Sequence, residues 1–184
     1  MSSDRKDAVV VGALFITAVL AGILSVPFRG LFDDPDYLVK VAANQTQLTV
    51  GALLQLVMAF ACAAIAVWLY PVLRKHNEAM ALGAVCFRTI EALLFIVAVA
   101  GQLSLLTLSR DYVRAGTPSA SHFQSLGASV LAARAWLVFG AGAIAFCLGA
   151  VLYYWVFYPV ETHSSMAVRL GSDRNRNAPD SGLK

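Results

Sequence analysis

Charge is what this 184-residue chain has least of. Asp, Glu, Lys and Arg together make up 14% of it, where a soluble domain carries about a quarter. In contrast, 59% is hydrophobic and the mean hydropathy is +0.69. So large an apolar surplus exceeds what one small core can bury, which excludes an ordinary soluble globule and leaves lipid as the solvent. The net charge of +3 is spread between the apolar blocks without a dense basic patch, so nucleic acid is excluded as a partner. The cysteines, Cys62, Cys86 and Cys147, fall in apolar runs without CxxC spacing and are expected to be buried, inert thiols. His76, His122 and His163 lie outside the apolar runs, so none can be an axial haem ligand at mid-membrane. HExxH, GxSxG and Walker patterns are missing too. No cofactor, no metal and no catalytic residue is expected from this inventory.

What the chain does have is four apolar runs, at about 8–26, 48–70, 79–108 and 126–158. Each is long enough to cross ~30 Å of hydrocarbon at about 1.5 Å per residue. The first follows the charged head Asp4-Arg5-Lys6-Asp7 and ends at Pro27; no small-residue cleavage site follows it, so it is a span and not a signal peptide. The second and fourth are expected to stop at Pro71 and Pro159, which cannot easily continue a helix. Asp33-Asp34-Pro35-Asp36 is a helix-start signal and predicts an interfacial helix over 37–44. Asn44-Gln45-Thr46-Gln47 reads as an interfacial cap in preference to a site. Beyond Val160 the composition turns polar, predicting a disordered cytoplasmic tail over 161–184. The expected fold is therefore all-α: a four-helix transmembrane bundle with an interfacial helix before the second span, in one domain over 1–160.

Loop charge sets the expected orientation. Arg5, Lys6, Arg74, Lys75, Arg169, Arg174, Arg176 and Lys184 lie on one side; Arg29, Lys40, Arg110 and Arg114 lie on the other. That bias places both termini in the cytoplasm of a multi-pass protein of the cell (inner) membrane. The aromatic clusters Trp68/Tyr70 and Tyr153–Trp155 with Tyr158 then share the inner interface, where such rings prefer to sit.

Three charges fall inside the spans: Arg88 and Glu91 in the third, Arg134 in the fourth. Each costs roughly 2.5–3.5 kcal/mol at a helix centre, so each should face protein, water or another charge. Counted along the helices, Glu91 and Arg134 both fall roughly 18 Å from the inner boundary, and Gln55 falls at about 20 Å. Arg88 and Glu91 share an arc with Ala84, Phe95, Ala98 and Gln102. Arg134 shares its face with Ala141, Ala145 and Gly149, and Gln55 with Gly51, Ala59, Cys62 and Ala66, small residues that permit close helix approach. One polar layer of Arg88, Glu91, Arg134 and Gln55 is predicted, with Glu91 paired to Arg134 and Arg88 facing the inner leaflet or an anion. That layer either fixes helix register or lines a polar cavity. With a cavity, the protein binds a small ligand or lipid, or supports transport or sensing, without catalysis. The alternative is a membrane enzyme acting on a lipid or quinone-like substrate with Glu91 as acid/base. The absence of a nucleophile or second carboxylate in the spans weighs against the enzyme.

The chain resembles a bacterial membrane family known as a domain of unknown function, number 4386 in that series. The resemblance runs through Asp33-Asp34-Pro35-Asp36-Tyr37, Gly51-Ala52-Leu53-Leu54-Gln55-Leu56, and the stretch Leu69 to Glu78. It continues through Ala81-Leu82-Gly83 and Arg88-Thr89-Ile90-Glu91 to Leu148–Tyr154. The family is typically six-helical, and its arginine-x-x-glutamate pattern in the third helix falls on Arg88 and Glu91. The match stops after the fourth helix. The resemblance thus implies a C-terminally shortened form, either a short paralogue or a disrupted reading frame. Beyond membrane lipids, its implied partner is a second copy or another subunit that replaces the two missing helices. It implies no reaction.

Overall fold

The computed structural model describes residues 3–115 and 120–156, with side chains described for 5–115 and 121–156; the expected tail, Tyr158, Pro159 and His163 lie outside them. Every described element is helical. Helix α1 (Ser3–Ser25) passes into a 3-10 turn, Val26–Phe32. Then follow α2 (Tyr37–Ala43), α3 (Gln45–Leu73), α4 (Glu78–Ala115) and α5 (Ala120–Ala135). A π-helical segment, Trp136–Gly142, joins α5 to α6 at 143–156. Four stretches, Arg5–Phe32, Gln45–Leu73, Glu78–Ala115 and Ser121–Val156, are long and apolar enough to cross a membrane. The all-α expectation holds, with the short helix α2 between the first two spans.

Side-chain size is distributed opposite to that of a soluble protein. The buried faces carry Ala59, Ala66, Ala84 and Ala98, while Phe15, Phe60, Phe139 and Ile144 are exposed. Small residues inside let helix backbones approach, and large apolar residues outside are what hydrocarbon tolerates. The same inversion corrects the expectation for the cysteines. Cys62 is half-buried, but Cys86 and Cys147 are exposed, because in a lipid-facing helix an apolar neighbourhood does not mean burial in protein.

α1 packs on α3, α3 on α4, and α4 on both α5 and the π segment, while α2 lies on α4. Aliphatic clusters close the two ends. Leu31, Val41 and Leu48 cluster at the end that carries α2; Leu73, Ala81 and Val156 cluster at the end that carries the 74–77 turn. At that turn Met80 N donates to Asn77 Oδ1 at 3.1 Å, a side-chain N-cap for α4.

Several boundaries move from where composition placed them. The second span does not stop at Pro71. Proline costs most in a helix interior; here only the last turn follows it, and Arg74 N still donates to Tyr70 O at 2.9 Å. α4 outruns its apolar run by seven residues, to Ala115. The polar extension is held because Arg110 donates from Nε to Gln45 Oε1 at 3.1 Å. Gln45 in turn donates to Ala42 O, and Asn44 Nδ2 donates to Lys40 O at 2.9 Å. The Asn44 and Gln45 side chains thus cap the C-terminal carbonyls of α2, and neither makes a side-chain cap for α3.

Candidate functional site

Arg88 and Glu91 sit one turn apart on α4, so their side chains can meet. Arg88 Nη1 donates to Glu91 Oε2 at 2.9 Å. Glu91 is 6% exposed. The Arg88 stem lies over Gly149 of α6, where a Cβ would stand 3.5 Å from its Cγ. Its guanidinium centre is 4.6 Å from the Phe146 ring and 5.8 Å from that of Tyr153, within cation–π range. The ion pair thus offsets part of the desolvation cost of each partner, and the two rings lie against the guanidinium.

Of this pair, Arg88 forms part of the wall of a cavity of about 990 Å³, with Glu91 behind it. Along one side run Val11, Gly12 and Phe15 of α1, and along another Cys62, Ile65 and Trp68 of α3. Asp7 and Lys75 stand at one end, next to the 74–77 turn. Cys62 lies eleven residues before Leu73 at the end of α3, so the cavity is a groove running roughly 16 Å into the span. Its lining is mostly apolar, with a salt-bridged arginine deep inside and one charge of each sign at its mouth.

A second polar group lies elsewhere. Arg134 Nε donates to Gln102 Oε1 at 3.1 Å, and its Nη2 donates to Gln55 Oε1 at 3.3 Å. The three residues are 7%, 0% and 1% exposed. The Arg134 guanidinium centre is 5.5 Å from the Phe32 ring. The 3-10 turn reaches this place because Phe28 packs on Gly51 of α3, where any Cβ would meet Phe28 Cβ at 2.6 Å. Gly51 and Gln55 are one turn apart, so that close approach brings the end of the first span up to the buried amide.

The model of a domain of unknown function, DUF4386, matches residues 10–162. The chain belongs to this family. No curated protein and no solved structure matches it.

In this DUF4386 chain Gln55, Glu91 and Arg134 are buried and Arg88 is half-buried, but the four do not form one layer. Glu91 pairs with Arg88 and not with Arg134; among the described residues Arg134 has no carboxylate within ion-pair distance. Gln102, the partner of Arg134, lies eleven residues beyond Glu91 on α4, so the two groups are separated by roughly 16 Å along that helix. The depth estimate failed because the fourth span begins at Ser121 and the third runs to Ala115, so hydropathy edges do not mark equal levels. The face of the fourth span also shifts. Arg134, Val138, Gly142, Ala145 and Gly149 are buried while Ala141 is exposed, because the wider π turn inserts one residue between Arg134 and the small-residue stripe. Gln102 was visible as a member of the Glu91 arc; its pairing was not, since that depends on the offset between two helices. Arg29 was legible only as a loop charge.

His76 and His122 are exposed, as expected. Among the described residues no group of three or more His, Cys, Asp or Glu side chains could hold a metal ion.

Proposed function

We propose that this DUF4386 protein is a non-enzymatic, multi-pass membrane protein that binds an amphiphile of the lipid class in the groove ending at Arg88–Glu91. The groove itself is the main support: about 990 Å³, lined by apolar side chains with few polar groups, as ligand sites usually are. Its mouth carries Lys75 and Asp7, which suit a polar or zwitterionic head. Its interior suits an acyl chain or ring system, and Arg88 at the deep end can donate to an oxygen on it. The excess of Lys and Arg on the 74–77 side supports a cytoplasmic mouth and cytoplasmic termini in the inner membrane.

Gly12 provides the test. A Cβ there meets nothing within 4 Å, so Gly12→Phe fills the groove without disturbing α1. Protein purified in mild detergent is expected to retain lipid, read by mass spectrometry of the extract. Gly12→Phe is expected to lower that retention at least fivefold at unchanged thermal stability. Equal retention by the wild type and Gly12→Phe would remove the support for binding in this groove.

A further inference from the structure

The Arg134 group has donors in excess and acceptors in deficit. Gln55 and Gln102 both spend their carbonyl oxygens on Arg134. That orientation leaves their amide nitrogens turned away, and Gln55 Nε2 and Gln102 Nε2 are buried with no partner among the described residues. Arg29 Nε is in the same condition. In a 3-10 turn side chains three apart eclipse, so Arg29 projects from the same face as Phe32, against which Arg134 lies. The Arg29 guanidinium centre is 5.9 Å from the ring of Phe139, five residues beyond Arg134 on the same span. One polar cluster, with Arg134 against Phe32 and Arg29 against Phe139, thus gathers two guanidinium groups and two orphan amide donors from the 3-10 turn, α3, α4 and the fourth span. The two ion pairs among the described residues lie elsewhere.

Buried donors without acceptors each cost about 1–3 kcal/mol, and an uncompensated buried cation costs more. A protein does not gather four such groups unless something answers them. We propose that this cluster is an oxyanion site, which takes a phosphate group, free or carried by a lipid headgroup. A tetrahedral oxyanion offers several acceptors in diverging directions, matching arginine forks and amide N–H groups that come from four elements.

The level of the cluster fits a headgroup. Trp136 and Trp155, 76% and 63% exposed, stand nineteen residues apart on the fourth span, about 28 Å at helical rise. That is the thickness of the hydrocarbon core, with a tryptophan at each edge. Arg134 falls two residues outside Trp136, at the α2 end, and half-buried Arg29 links the cluster to the surface there. The Arg88 groove opens toward the other end, so the two sites are separate.

The test is thermal unfolding of the full chain, delipidated in a phosphate-free maltoside detergent. Sodium phosphate is compared with sodium chloride at equal ionic strength, and phosphatidylglycerol with diacylglycerol. Phosphate or phosphatidylglycerol is expected to raise the midpoint by about 3 °C or more, a size expected of specific binding. Response to free phosphate identifies a soluble ligand; response to the phospholipid alone identifies the headgroup. Arg29→Gln should remove the response. Gln102→Glu, which supplies a carboxylate in place, should raise the midpoint in the absence of ligand and then be insensitive to both ligands. No response in the wild type, or an equal response in Arg29→Gln and Gln102→Glu, would overturn the proposal.

Discussion

At the scale of single residues, the Arg88–Glu91 pair and the Arg134 group differ in what answers the charge. Arg88 has its carboxylate, so removing Glu91 leaves a cation in an apolar groove. Glu91→Gln is expected to destabilise by about 3 kcal/mol, and the double variant Arg88→Met/Glu91→Gln to recover most of it in thermal unfolding; a double variant no better than the single would deny the coupling. The pair was legible in the sequence because i,i+3 neighbours on one helix meet whatever the tertiary structure does. The partners of Arg134 were not, because they come from helices whose axial offset no hydropathy edge defines. Outside the spans, Asp34 accepts from Lys40 and from Asp36 N–H, and the Lys40 contact, with the Asp36 bond behind it, holds its carboxyl below the ordinary value of 3.8. A depressed acid stabilises the fold above its unfolded pKa and loses that contribution as pH falls through the folded one. The loss therefore belongs below pH 3.8, and Lys40→Ala should move the Asp34 carboxyl titration, followed by NMR, up toward 3.8.

At the scale of elements, the π segment decides how the fourth span presents its face. A Cβ on Gly142 would stand 2.7 Å from Leu137 O, so the widened turn depends on glycine there. Gly142→Ala should collapse it toward α-helix and turn α5 by about 100° relative to α6, one residue's worth. Gly101 and Val130 face each other, with 3.7 Å between a Gly101 Cβ and Val130 Cγ1. In a cysteine-free background, Gly101→Cys/Val130→Cys should cross-link, and adding Gly142→Ala should abolish the link; persistent cross-linking would show that the turn does not set the face. The α2 contact is equally specific. Tyr37 Oη donates to Gln124 O at 3.2 Å, and burial raises the phenol above its ordinary 10.0, so the donor survives across the physiological range. A Cβ at Gly127 would clash with that oxygen, so Gly127→Ala should lower stability by about 1–3 kcal/mol, read as a lower unfolding midpoint. Element existence was plain in the apolar runs and in the Asp33–Asp36 start signal. Element ends were not, since the polar turn beyond Leu108 is helical through contacts of Arg110 with Gln45, and one proline near a C-terminus leaves the helix intact.

At the scale of the whole molecule, alanine-rich inner faces bring four spans together and leave one large apolar groove between α1, α3 and α6. Its lining includes Gly12 and Phe15 of α1 and Arg88 at depth. The family match covers this region without bringing a reaction, so amphiphile binding is tested at the groove itself. A photoreactive benzoyl-phenylalanine at Phe15, inside the groove, can be compared with one at Leu93, which is exposed on α4. After irradiation of membranes, the Phe15 probe is expected to capture one lipid species at near-stoichiometric yield, an adduct that Gly12→Phe abolishes, while the Leu93 probe captures lipids in proportion to bulk abundance. Identical, bulk-like adduct profiles at the two positions would contradict amphiphile binding in the groove.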